Sequence, residues 1–389
     1  MLATALVAAA LIAPNGRAQE SEEPAPPASL KTVPVPAPSA AELAEYVADK
    51  AAAIRLGKAL FWDTRVGSDN RTACATCHFH AGADSRVRNQ LSPGLLAGDK
   101  TFQVGGPNYT LTPADFPFTR HADVNDPATR TVDRNDIASS QGVFTTSFVD
   151  VVRPGAPDSC QRVSDAVAHG GSGFNVNGIN TRRVEPRNAP SVFNAIFNFR
   201  NFWDGRANNM ANGNDPFGLR NADVTVWKLD QGVLKQVKTA LPSSSLASLG
   251  SGPPLSENEM SCKNRTFAKV GRKLLDTNVL GDQFIAPNDS VLASIAFFRP
   301  SYAALVRQAF RDAYWRSPTI VTLQAAEASR VAPMDLDRSR NGDRTDFRTS
   351  RHDVTQMEAN FALFFGLAVQ LYQSTLVSDD APFDRYAEG

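Results

Sequence analysis

Apolar residues recur at helical spacing in separated runs, not along the whole chain. Leu43, Tyr46, Val47, Ala51, Ile54, Ala59 and Leu60 mark the first run. Ser39 and Glu42 have the spacing of a capping box, so a helix is predicted from Ala40 to Leu60. Helical patterning returns over Ala189 to Phe202, entered through Pro190, and then over Asn264 to Leu275, Val291 to Phe298, Tyr302 to Trp315 and Val354 to Leu376. In the last run Phe361, Phe364, Phe365, Ala368, Leu371 and Tyr372 share one face. Asn360 and Gln370 bound an apolar stretch there that is too short to span a membrane and reads as core. Val224 to Leu229 alternates and predicts a short strand. From Gly82 to Pro186, Gly, Asn, Asp and Pro are frequent and no long period holds, which predicts long loops with short helices. The expected fold class is mainly α, with long irregular loops and insertions.

Composition changes this picture mainly at the N-terminus. With 42% hydrophobic and 21% charged residues in 389, the chain is globular in composition and long enough for a sizeable core. Lys plus Arg equals Asp plus Glu at 40 each, which gives no electrostatic case for nucleic acid or an anionic membrane as partner. Leu2 to Pro14 is almost entirely apolar or small, and Gly16-Arg17-Ala18 supplies small residues at cleavage spacing. Residues 1–18 therefore read as an export signal, although no Lys or Arg precedes the apolar run; the other reading is a buried N-terminal helix. Residues 19–38 have linker composition. No membrane span is expected in the mature protein.

The strongest chemical signal is Cys74-Ala75-Thr76-Cys77-His78, the C-x-x-C-H pattern of c-type haem attachment. Each thiol can add to a haem vinyl group, and the imidazole can bind the iron. On a helix, positions three and four apart share a face, so all three side chains can address one porphyrin. A zinc site made with His80 would crowd its ligands. Covalent haem attachment takes place outside the bacterial cytoplasm, where disulfides are also permitted. Cys160 and Cys262 are either a disulfide or two buried thiols; sequence leaves both open. The acidic clusters at Asp123 to Asp126, Asp133 to Asp136 and Asp335 to Ser339 lack the features of a calcium loop and read as solvated turns.

Several stretches together resemble the bacterial di-haem cytochrome c peroxidases, a family that includes the MauG-type enzymes maturing a tryptophan-derived quinone. They are Leu56-Gly57-Lys58-Ala59-Leu60-Phe61, the haem motif, Arg187-Asn188-Ala189-Pro190-Ser191-Val192-Phe193-Asn194-Ala195 and Phe202-Trp203-Asp204-Gly205-Arg206-Ala207. Gly252-Pro253-Pro254 with Glu259-Met260, and Ala381-Pro382-Phe383-Asp384-Arg385-Tyr386, complete the set. The resemblance implies a mostly helical cytochrome c-type haem domain over 39–376. Residues 377–389 would then begin a second haem domain, most of which is expected to lie beyond this chain, since no second C-x-x-C-H occurs; the alternative is a true single-haem relative.

It also implies site residues and partners. Cys74, Cys77 and His78 would carry haem c, with His78 on the iron. Glu259 would be the catalytic acid–base, although a loop glutamate alone reads as a surface charge. Trp203 would relay electrons between haems, or else be a core aromatic. Asn188 would be a calcium ligand, and Met260 reads as core. Asn180 stands about where many members carry a histidine that caps the resting iron, so an open distal position is expected. The implied function is a periplasmic haem peroxidase reducing hydrogen peroxide with electrons from a small redox protein of cytochrome c or cupredoxin type. Alternatives are MauG-like oxidation of a protein or organic substrate, and a non-catalytic electron-transfer cytochrome.

Overall fold

The computed structural model describes residues 27–78, 91–94, 99, 101–162, 175–176, 178–185, 187–323 and 352–389. The export signal at 1–18, His80 and the Asp335 to Ser339 cluster lie outside the described residues. The chain divides into two compact units, one of Val35–Ser378 and the other combining the residues up to Pro34 with Asp379–Gly389.

The core of the larger unit is built on pairs of helices. α1 (Ala40–Tyr46) and α2 (Lys50–Trp62) replace the single helix expected over this stretch. Between them Val47 turns extended and bridges Phe310, and Asp49 starts α2 afresh by accepting the Ala52 amide at 3.0 Å. The Ser39–Glu42 capping box is present. α3 is the short Cys74–Cys77 turn. α4 (Ser245–Gly250), α5 (Phe267–Leu274) and α6 (Tyr302–Ala309) follow, then α7 (Gln356–Ala359) and α8 (Phe361–Gln373). Every residue of α8 is buried, so its predicted single apolar face is in fact its whole circumference. Gln370, expected at the edge of an apolar stretch, lies inside the core. Its side-chain carbonyl accepts the Ala247 amide at 2.9 Å and its amide group donates to the Ser243 carbonyl at 3.1 Å, which ties α8 to the start of α4. Among the described residues no helix is long and apolar enough to cross a membrane.

The mainly-α expectation is corrected. Among the described residues 32% are helical and 18% are in strands. Among the described residues the strands form seven separate two-stranded antiparallel ribbons, β1 to β14 in chain order, and no larger sheet. Most lie in the stretch expected to be loops with short helices. They include β5 (Gln141–Phe144), β6 (Thr146–Asp150), β7 (Ser159–Arg162) and β10 (Arg182–Val184). Strands of two to five residues hold too few alternations to register as a period. β11 (Val226–Asp230) confirms the predicted strand. Its partner β12 (Val233–Val237) follows a two-residue turn in which Gln231 and Gly232 both have positive φ, 48° and 81°, as a tight hairpin requires.

Two predicted helices shrink to single 3-10 turns. In 189–202 only Ala195–Phe197 is helical, because Asn194 takes a left-handed φ of 58° and its carboxamide is spent on the backbone of Ser378. In 291–298 only Ala293–Ile295 turns, and Phe297 and Phe298 point into solvent, so no burial propagates the helix. The acidic-cluster reading is also corrected at Asp136. This residue is buried, and its carboxylate accepts the amides of Gln103 and Val104.

In the smaller unit α9 (Pro382–Glu388) faces the segment around Ser29. Asp384 accepts the Leu30 amide at 2.7 Å, and Lys31 pairs with Asp380 and Glu388 at 3.2 Å each.

Candidate haem site

The turn between α2 and α3 is fixed before the haem motif begins. The buried carboxylate of Asp63 accepts from the Arg65 amide and guanidinium, the Tyr302 hydroxyl and the Leu280 amide, at 2.6 to 3.1 Å. Asp69 then accepts the amides of Arg71 and Thr72, and Thr76 accepts the Ala73 amide at 2.9 Å to start α3. α3 closes with the His78 amide donating to the Cys74 carbonyl at 3.0 Å. Neither Cys74 nor Cys77 is in a disulfide, and Cys74 packs on the main core.

His78 Nδ1 lies 2.8 Å from the Pro190 carbonyl oxygen. A carbonyl can only accept, so Nδ1 carries the proton and Nε2 presents the lone pair that an iron would take. The Phe61 ring stands 6.4 Å from the imidazole, centroid to centroid, and backs it from α2. Pro190 belongs to the Arg-Asn-Ala-Pro stretch, so the structure joins two sequence-distant motifs through one hydrogen bond.

Glu259 comes to the same place. Burial pushes the Cys74 thiol up to about 12, and the Glu259 charge adds to the rise. Burial also raises the Glu259 carboxyl above the usual carboxylate value; the Ser256 hydroxyl and the Arg206 guanidinium pull it back. Glu259 sits on a tight loop in which the amides of Glu259, Met260 and Ser261 all donate to the Ser256 carbonyl. The Met260 carbonyl accepts the Ser68 amide at 2.8 Å, and the Met260 side chain is buried in the core as the sequence suggested.

Trp203 is 71% exposed, which removes its reading as a core aromatic. The Arg187 guanidinium covers its ring at 4.2 Å. Arg206 stacks on Phe202 at 3.9 Å and pairs with Asp204 at 3.1 Å. Asn188 is exposed beside Arg187. Among the described residues no group of three or more His, Cys, Asp or Glu could hold a metal ion. Asn180 donates to the Thr145 carbonyl at 3.3 Å.

Sequence reasoning missed the Pro190 carbonyl, which is a backbone group with no side-chain signal, and Ser256. Arg206 stood out only as part of the Phe-Trp-Asp-Gly-Arg stretch. The sequence left Cys160 and Cys262 open; they are joined as a disulfide across 102 positions.

These residues fit a covalently held porphyrin: two thiols on one short helix, an imidazole turned by its second nitrogen, and an aromatic wall behind it. The class is therefore that of a c-type haem protein. The chain belongs to the di-haem cytochrome c peroxidase family, which matches residues 51–129 and 156–389. No individual curated protein matches the chain. Membership of the family supports haem c as cofactor and oxidoreductase chemistry of the peroxidase or MauG kind. The stretch between the two matched segments, 130–155, holds β3 (Arg130–Asp133), β4 (Ile137–Ala138), β5 and β6.

Proposed function

We propose that the chain is an exported, periplasmic haem peroxidase that reduces hydrogen peroxide to water, with electrons delivered by a small redox protein. The observation that carries this reading is the loop of the partly buried Glu259, which the hydrogen bond from the Ser68 amide to the Met260 carbonyl ties to the segment leading into the haem-attachment helix. Haem bound at Cys74, Cys77 and His78 would supply the redox-active iron. Glu259 takes the proton from one peroxide oxygen and returns it to the other, which leaves as water, so the carboxylate is regenerated. Two electrons and two protons from outside complete the reduction to two waters. Arg206 offsets the cost of holding Glu259 ionised. His78 keeps its Nδ1 proton on the Pro190 carbonyl throughout. In sequence Asn180 stands about where many members carry a capping histidine, in keeping with an open distal position.

Trp203 is the candidate electron relay. Its exposure favours a second reading, in which the same site oxidises a protein or organic substrate at the surface. Asn188 remains the candidate calcium ligand, with its other ligands supplied from elsewhere.

The test is Glu259→Gln in the haem-loaded chain. Haem content and the visible spectrum should be retained while the stopped-flow rate with peroxide falls by about 10²- to 10⁴-fold. Turnover at the parent rate would overturn the acid–base role.

A further inference from the structure

The segment that the family does not match is packed under the Glu259 loop. Gly142, in β5, leaves no room there: a Cβ added to it would stand 1.9 Å from the Asn258 carbonyl oxygen and 2.7 Å from that of Glu259. The Asn258–Glu259 backbone therefore rests directly on the bare Cα of Gly142. Two further attachments hold the same loop on its other side. The Lys263 amide donates to the Thr146 carbonyl and the Phe148 amide to the Lys263 carbonyl, at 2.9 Å each, so the loop ends as a short extension of β6. One residue earlier, Cys262 is bonded to Cys160 of β7, which pairs with β6 through Phe148.

The brace also reaches the haem anchor. Arg182 of β10 donates to the Gly142 carbonyl at 3.0 Å, and its guanidinium lies 3.8 Å from Asp69. Asp69 is the residue that fixes the turn into α3 through the Arg71 and Thr72 amides. One side chain thus connects the floor of the Glu259 loop to the approach of the Cys74–Cys77 helix.

We infer that the ribbons of 141–162, carried largely on a segment outside the family match, are a positioning device that sets the distance and angle between Glu259 and the haem, with Gly142 as its contact point. Gly142 and Arg182 act through Glu259 and touch no reacting atom; they are positioning residues. The inference rests on the acid–base reading of Glu259. It matters because proton transfer tolerates little displacement: about 1 Å of misplacement costs on the order of 10²-fold in rate.

The test is Gly142→Ala in the full haem-loaded chain, read two ways. Amide hydrogen exchange over residues 256–261 should quicken, because the added methyl must lift the Asn258–Glu259 peptide. The peroxide rate should fall by about 10²-fold and its pH profile should shift, with the haem content and the His78-ligated spectrum unchanged. Arg182→Met, which cuts the tie to Asp69 and adds no bulk, should move both readouts in the same direction by less. Should Gly142→Ala fail to fold or to load haem, the Cys160→Ser/Cys262→Ser double variant replaces it with the same expectations. Parental exchange and parental rate in the variants that fold would overturn the brace. The Glu259→Gln control separates the two ideas: faster exchange in Gly142→Ala with a parental rate in Glu259→Gln keeps the brace and removes the acid–base reading.

Discussion

Glu259 is held between opposing influences, and their balance sets where it can work. Burial raises its proton affinity, while Ser256 and Arg206 lower it. As the group that accepts the peroxide proton, it must be ionised, so the peroxide rate should fall on acidification, with a midpoint above the usual glutamate value. Arg206→Met removes the cationic part of the balance. Its acid limb should therefore move to higher pH, while the limiting rate at alkaline pH stays near that of the parent. Stopped-flow profiles over pH 4 to 9 would check it, and an unmoved limb would show that Arg206 does not act on Glu259. The same burial opposes folding of the charged form. A carboxyl whose folded affinity for protons exceeds its unfolded one loses stability as pH rises from the unfolded value through the raised one. At this scale the haem ligands were legible, because C-x-x-C-H is a local pattern. Glu259 was legible only through resemblance, since its environment is made by Cys74, Ser256 and Arg206, which no local pattern links to it.

At the scale of elements, the Leu-Gly-Lys-Ala-Leu-Phe stretch gains a physical reason. Gly57 is where α2 crosses α8: a Cβ there would stand 1.9 Å from the Ala368 carbonyl oxygen and 2.9 Å from the Tyr372 Cβ. α8 meets α4 nearly as closely, where a Cβ on Gly366 would come within 2.7 Å of the Ala247 carbonyl oxygen. The helices approach backbone to backbone, and Phe61, on the same turn of α2 as Lys58, is thereby placed against both Tyr372 and His78. Gly57→Ala would force α2 off α8 and should cost about 1–3 kcal/mol, the usual range for overpacking, despite the better helix propensity of alanine. Chemical denaturation of the haem-loaded chain would measure it; a gain in stability would mean that the crossing is looser than the backbone contact requires. The helical runs were legible in the sequence because each has apolar positions enough to fix a period. Their ends were not, since Val47, Asn194 and Phe310 leave the helix for tertiary partners. The ribbons were missed because pairings such as Phe148 with Cys160 are created by strands too short to announce themselves.

At the scale of the whole molecule, segments distant in sequence converge on a buried charge cluster. The Arg265 guanidinium lies 2.8 Å from the Asp158 carboxylate and the Lys273 ammonium 3.5 Å from it, with all three side chains 0% exposed. Arg265 also donates to the Val66 carbonyl, Lys273 to the Gly67 carbonyl, and the Asp158 amide to the Ser68 carbonyl. The backbone leading to the haem anchor, the approach to β7 and both ends of α5 thus close on one carboxylate between two cations. Burial, followed by the Arg265 charge, lowers Lys273 to about 8 from its ordinary 10.5. The folded protein therefore binds this proton less tightly than the unfolded chain does, and this group makes stability rise with pH between about 8 and 10.5. Asp158→Asn leaves two buried cations facing each other without a counter-charge and should cost about 3–5 kcal/mol at neutral pH. Asp158 itself holds Lys273 up, so in the variant Lys273 sheds its proton at lower pH; the loss should shrink as pH rises to about 8 and stay level above it, where Lys273 is neutral in both proteins, while the part due to Arg265 persists. Urea unfolding at pH 7 and pH 10 would show this contraction. A loss of equal size at both would mean that Lys273 is neutral in the fold already, and that Arg265 alone needs Asp158.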